Sequence, residues 1–244
     1  MKNELVLSKN YQISYSQMDC NLALKPYTLM NILQDIASES AENLGFGYTY
    51  MSQNNLAWFL IKYRMEFSDY PVNVSELTFK TMPRGYNKLF AYRSFELCQA
   101  EKTIGKVFSV WSVINLETRG LTLVQGAINN PNMPQYSKQE DDLQFAKINS
   151  ILNPTFTKEF KVRYNDLDVN MHANNGNYIV WAFEALPLDF IKAKKIKTLD
   201  FVFKKEAKYD EIITSEVEIN DNISLHKIKN KDNDDLCLIQ CEWI

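Results

Sequence analysis

Apolar residues recur along this chain with two distinct periods. Leu29, Leu33, Ile36, Ala37, Ser40, Ala41 and Leu44 come at three- and four-residue spacing, with Asn31, Asp35, Glu39 and Glu42 outside the stripe. Such a stripe predicts an amphipathic helix, which Gly45 and Gly47 terminate. A second stripe, Tyr178, Trp181, Ala182 and Ala185, meets Pro187 near its end. Elsewhere the apolar positions alternate with polar ones, which predicts strands. In the first half these are Leu56–Phe67, Glu76–Arg84, Phe90–Gln99 and Lys106–Asn115, with breaks at Tyr70-Pro71, Gly85 and Gly105. In the second half they are Thr157–Arg163, Thr198–Tyr209, Ile212–Asn220, Ser224–Lys229 and Leu236–Trp243. A parallel sheet buried on both faces would show continuous apolar blocks, so alternation predicts an α+β fold in which an antiparallel sheet wraps one helix per half.

The halves share more than a pattern. Tyr15-Ser-Gln-Met-Asp19-Cys-Asn21 and Tyr164-Asn-Asp-Leu-Asp168-Val-Asn170 both read Y-x-x-[ML]-D-x-N, 149 residues apart (164 minus 15), and each precedes a helical stripe followed by strands. Residues 125–154, with Asn129-Asn130-Pro131-Asn132-Met133-Pro134 and Glu140-Asp141-Asp142, have little periodicity. They predict a linker between domains at 1–124 and 155–244.

Composition narrows the function. Hydrophobic residues make up 45% and charged residues 23% of 244, with only 7 Gly and 7 Pro, which suits packed cores and excludes a fibrous or low-complexity chain. A net charge of -3 with scattered basic residues offers nucleic acid no attraction. No apolar run reaches the roughly 18 residues of a membrane span, and the N-terminus shows neither a signal core nor an Arg/Ser-rich leader, which predicts a cytoplasmic protein. Cys20, Cys98, Cys237 and Cys241 have no histidine in metal-site spacing and are expected to be reduced and mostly packed.

Chemistry concentrates ahead of the second helix, in Asp166-Leu-Asp168-Val-Asn170-Met-His172-Ala-Asn174-Asn175-Gly-Asn-Tyr178-Ile-Val-Trp181. This run resembles the signature of the acyl-acyl carrier protein thioesterases of the FatA/FatB type. The likeness extends through Trp58–Arg64, Asp69-Tyr-Pro71, Thr81-Met-Pro-Arg84-Gly85, Lys88–Arg93 and Trp111, and so covers most of residues 10 to 244. The resemblance implies a tandem, or double, hot-dog fold and hydrolysis of acyl carrier protein thioesters in fatty acid biosynthesis, without metal or organic cofactor. It implies a catalytic set of Asp168, Asn170 and His172 with an acid on a later strand, which falls on Glu206. Plant members commonly have cysteine at the next position; Ala207 stands there, so no thiol nucleophile is available at that place.

The residue types suit the reaction. Thioester hydrolysis needs an activated water and a stabilised oxyanion. Glu206 or His172 can serve the water, Asn170 can orient its neighbours, and free N–H groups near Asn174 and Asn175 at the helix start can hold the oxyanion. Asp166 and Asn174 can equally be helix caps. His226, alone in a strand, is expected to be structural. The first half has Ala23 where His172 falls, which makes it chemically silent. Its stripe of Leu29, Leu33, Ile36, Ala37, Ser40 and Ala41, with Trp58 opposite, leaves room for an acyl chain or else packs as an ordinary core. Lys192, Lys194, Lys195 and Lys197 are the basic set nearest the site in sequence, fit to dock an acidic carrier with its phosphopantetheine-linked acyl chain. Two other readings compete: an acyl-coenzyme A thioesterase, which shares the pantetheine arm, and a non-catalytic acyl-binding double hot-dog protein. A double hot-dog chain is compatible with a monomer or a homodimer.

Overall fold

A computed structural model describes residues 5–128 and 133–244; Asn129–Asn132 of the expected linker lie outside them. The chain forms two compact units. One takes the residues up to Ile13 with Ile32–Met65 and Val74–Gln144, the other Ser14–Asn31, Glu66–Asn73 and Phe145–Ile244.

Along the first half of the chain, β1 (Leu7–Gln12), α1 (Pro26–Asn43), α2 (Tyr48–Gln53), β2 (Leu56–Phe67), β3 (Glu76–Tyr86), β4 (Ala91–Gln99), β5 (Lys102–Asn115) and β6 (Leu121–Thr122) follow the expected order of one long helix and many strands, with α1 from Ile32 and β2 up to Met65 falling in the first unit. The strands lie in the order β1-β3-β4-β5-β2, with β6 on β5. β1 has no apolar alternation in its sequence and was not expected; its order comes from antiparallel pairing with β3, Leu7 opposite Thr81 through Gln12 opposite Glu76. Gly105 does not break a strand. β5 runs through it and pairs it with Leu97 beside a register shift, so the glycine marks a bulge. Pro26 opens α1, where a missing N–H costs nothing. The helix closes with Gly45 at φ +79° and the Phe46 N–H on the Ala41 carbonyl at 3.0 Å, a glycine cap. Ala41, Phe46, Met51, Tyr86, Ala91 and Val113 build a core here.

Residues 125–154 differ from a loose linker. They begin within α3 (Val124–Ala127), and Met133–Gln144 belongs to the first unit. There Gly85, at φ +116°, lets the chain pass so close that a Cβ would sit 2.7 Å from the Pro134 carbonyl oxygen. Tyr136 stacks on Tyr92 with ring centroids 3.7 Å apart.

The second unit holds β7 (Phe156–Lys161), α4 (Asn175–Phe183), α5 (Leu188–Ala193), β8 (Ile196–Phe203), β9 (Ile212–Asn220), β10 (Ile223–Asn230) and β11 (Asp235–Trp243). Its strands run β8-β11-β10-β9-β7, and α4 lies against β9, β10 and β11. Phe201 and Phe203 stack at 5.7 Å, and Trp243 packs on Phe183 at 5.2 Å and Phe190 at 5.4 Å. Burying each such ring stabilises the fold by about 1.5–3 kcal/mol. His226 lies inside this core: Ser224 Oγ joins its Nε2 at 2.8 Å and accepts the Trp243 indole N–H at 2.8 Å. Burial pushes the imidazole down to about 3. Cys98, Cys237 and Cys241 are buried and Cys20 is exposed, all four as free thiols. Burial raises the thiols of Cys237 and Cys241. No helix among the described residues is long and apolar enough to cross a membrane.

Candidate active site

The D-x-N-x-H spacing has a local cause. Asp168 Oδ1 accepts the backbone N–H groups of Asn170 at 2.8 Å and His172 at 3.2 Å, while the Asp168 N–H donates to the His172 carbonyl at 2.7 Å. The loop closes through Met171 at φ +64°, a left-handed residue. Asp168 is therefore the staple of the loop that presents His172, and its Oδ1 is spent on backbone. Asn170 is exposed on that loop.

Asp166 is buried and binds Arg163 through both carboxylate oxygens, while its carbonyl accepts the Asn174 N–H at 2.8 Å and the Asn177 side-chain amide at 2.7 Å. Asn174 Oδ1 caps α4 by accepting the Gly176 N–H at 2.7 Å. The expected oxyanion donor at Asn174 is thus corrected: its N–H is already bonded and its side chain is the helix cap. Asn175 is the first residue of α4.

Glu206 does not lie on a strand. β8 ends at Phe203, where Lys204 and Lys205 both direct their N–H groups at the Leu236 carbonyl, at 2.8 and 3.2 Å, so the ladder stops and the chain turns. The turn returns to the His172 loop: Ala173 N–H donates to the Ala207 carbonyl at 2.9 Å, and His172 bridges Lys208. Glu206 Oε2 comes to 3.3 Å from His172 Nδ1. The approach is within ion-pair range but off the line of a hydrogen bond, and Nδ1, buried, has no other hydrogen-bond partner. The His172 side chain is 14% exposed and that of Glu206 39%, so water reaches the carboxylate while the ring stays sheltered.

The first copy of the motif folds the same way without the chemistry. Asp19 Oδ1 accepts the N–H groups of Asn21 at 2.8 Å and Ala23 at 2.9 Å, and Leu22 takes φ +59°. Leu24 N–H donates to the Pro71 carbonyl at 2.9 Å, as Ala173 does to Ala207, which sets Tyr70 in the place of Glu206. Ala23 stands for the imidazole, and the Tyr70 hydroxyl donates to the Leu24 carbonyl at 2.7 Å. No acid–base pair forms in this copy.

Residues 4–131 match the acyl-ACP thioesterase N-terminal domain, and residues 150–244 the C-terminal domain of the same enzymes, where ACP is acyl carrier protein. The chain belongs to the acyl-ACP thioesterase family. A chloroplastic acyl-[acyl-carrier-protein] hydrolase of Cuphea viscosissima is 24% identical over 234 residues, 88% of this chain and 57% of that protein. A chloroplastic palmitoyl-acyl carrier protein thioesterase of Arabidopsis thaliana is 25% identical over 228 residues, 88% of this chain and 55% of its own. The chain spans about half the length of these curated relatives. Among solved structures, an acyl-ACP thioesterase from Bacteroides thetaiotaomicron superposes at TM-score 0.84 with 20% identity over the whole of both chains. A 12:0-ACP thioesterase from Umbellularia californica does so at 0.85 with 19% identity, covering 98% of this chain and 97% of the other. The fold is the tandem hot-dog of that family.

A cavity opens in the first unit of this family member. Ala37, Ala41 and Trp58 line it, together with Ala91, Trp111 and Met133, and it is open on one side, with about 500 Å³ of space between and outside these walls, open solvent included. Leu29, Leu33 and Ile36 are fully buried core residues that do not line it, and Ser40 is engaged by Arg93, whose Nη1 donates to its hydroxyl at 3.0 Å. The stripe therefore divides: the large residues fill the core and the alanines border the space. Met133 and Ile128 in the wall could not be read from the sequence, because both come from the stretch without periodicity.

The lysines are unlike one another. Lys194 bonds Asn222 at 2.5 Å and Lys197 pairs with Glu242 at 2.8 Å, while the Lys192 and Lys195 side chains are exposed.

Proposed function

We propose that this chain hydrolyses acyl-ACP thioesters to free fatty acid and holo carrier. The approach of Glu206 to His172 carries the reading, because it puts a carboxylate and an imidazole side by side at a place water can reach. One of the two takes the proton of a water that adds to the thioester carbonyl; the tetrahedral intermediate then collapses, the C–S bond breaks and the thiolate of the pantetheine arm leaves. Asp168 holds the His172 loop through backbone N–H groups and Asn170 rides on it. Within this proposal the cavity bordered by Ala37, Ala41 and Trp58 takes the acyl chain, and exposed Lys192 and Lys195 meet the acidic carrier.

The test is thiol release from a panel of acyl-ACP and acyl-coenzyme A thioesters by the unmodified chain and by Glu206→Gln and His172→Ala. Each substitution is expected to lower kcat by about 100- to 10,000-fold, the usual worth of a general acid or base, and the double change to cost little more than either single one. Near-normal turnover in both singles would overturn the catalytic pair; turnover confined to coenzyme A thioesters would replace the carrier; no turnover on any thioester leaves a binding protein.

A further inference from the structure

Two backbone groups flanking Glu206 are held by one side chain. The Tyr178 hydroxyl accepts the Ala207 N–H at 2.9 Å and donates to the Lys205 carbonyl at 3.3 Å, so residues 205 and 207 are both tied to the same oxygen. The ring that carries it is 1% exposed, set edge-on to Trp181 at 5.2 Å and Phe203 at 5.7 Å. Burial holds this phenol above its ordinary range, so it stays protonated and remains a donor. Its one proton is committed to Lys205, which leaves none to give to substrate. Tyr178 stands on α4, six residues beyond His172 in the chain. The helix that follows the His172 loop thus also grips the Glu206 turn, alongside the Ala173 to Ala207 backbone bond.

We infer that Tyr178 is a positioning residue: it sets the Glu206 carboxylate against His172 by fixing the backbone on both sides of Glu206. The inference rests on the proposed roles of Glu206 and His172. An ordinary buried tyrosine that merely satisfies its hydroxyl would contribute to stability alone. A positioning residue contributes through Glu206, so its effect must vanish when Glu206 has already lost its function. That difference is measurable, since a misplacement of about 1 Å is enough to cost on the order of 100-fold in rate.

Single-turnover and steady-state rates on one acyl-ACP are compared for the unmodified chain, Tyr178→Phe, Glu206→Gln and the double variant, with melting temperatures alongside. Tyr178→Phe keeps the ring and removes only the hydroxyl. It is expected to lower kcat about 10-fold or more with KM within about twofold, and to change the residual rate of Glu206→Gln by less than about twofold. Trp181→Phe loosens the same packing but keeps the hydroxyl, and is expected to retain kcat within about twofold. A normal kcat in Tyr178→Phe overturns the inference, as does an equal fold-loss with and without the Glu206 carboxylate. A 10-fold loss in Trp181→Phe overturns it whether or not Tyr178→Phe can be purified. If Glu206→Gln itself turns over normally, the catalytic reading falls and this one with it; loss in Glu206→Gln without loss in Tyr178→Phe removes only the role of Tyr178.

Discussion

Replacing Arg84 by methionine tests how the 133–144 segment is held to the first unit. The Arg84 side chain is 4% exposed and that of Asp142 2%, whereas Asp141 is 59% exposed. Arg84 Nη2 lies 2.7 Å from Asp141 Oδ1, bonds Gln139 Oε1 at 2.7 Å and comes to 3.0 Å from Asp142 Oδ1. That last approach is off the donor line, so Asp142 Oδ1 has the charge of Arg84 but no hydrogen bond. In Arg84→Met the stem is kept and the charge removed. Asp141 then rehydrates, at a cost of about 0–1 kcal/mol for a surface pair. Asp142 cannot. It keeps the Tyr136 hydroxyl at 2.9 Å and the Gln139 N–H at 2.8 Å but loses its cationic partner. Breaking a buried pair from one side costs about 3–5 kcal/mol, and with two hydrogen bonds surviving we expect the lower end, about 3 kcal/mol. For a chain of this size that lowers Tm by about 6–12 °C in calorimetry. Removing the stranded charge as well, in Arg84→Met with Asp142→Asn, should return about half of the loss. A loss under about 1 kcal/mol, or no recovery in the double variant, refutes the reasoning. Met133 at the head of this segment lines the cavity, so Arg84→Met is also expected to blunt discrimination between acyl chain lengths.

Ala41→Phe fills part of the same cavity, and rates on acyl substrates of graded length should fall at least about 10-fold more for the longest chains than for short ones, because each methylene that no longer fits costs roughly 1–3 kcal/mol. A uniform loss on all lengths with a lowered melting temperature would mean overpacking of an ordinary core instead. His226 titrates near 6.5 when unfolded but only at about 3 in the native core, so the unfolded chain alone takes up its proton between those values. Stability is therefore lost as pH falls from about 6.5 toward 3, by up to about 1.4 kcal/mol per pH unit from this residue. Urea titrations at stepped pH should show a slope one proton shallower in His226→Gln; equal slopes would show that the buried imidazole is not the linked group.

Local pattern in the chain was enough for α1 and for most strands, because burial on one face imposes its period on the sequence: β2 and β9 match their expected bounds to the residue, and α4 carries Tyr178, Trp181 and Ala182 of its expected stripe, with Ala185 past its end at Phe183. The Asp168–His172 loop was legible through its resemblance to the family signature, and its spacing has a local cause, since Asp168 bonds N–H groups only two and four residues ahead. Where a structure depends on residues far apart, the sequence was silent or wrong. β1 is a strand because β3 lies beside it, Gly105 is a bulge because β4 sets the register, and Asn174 lost its role as oxyanion donor to a carbonyl eight residues back. The approach of Glu206 to His172, Tyr178 bonding groups 27 and 29 residues downstream, and Arg84 reaching Asp141 57 residues on are tertiary facts. Periodicity reports which face of an element is buried. It carries nothing about which distant polar atom completes a hydrogen bond, because that partner is chosen by the packing of other elements.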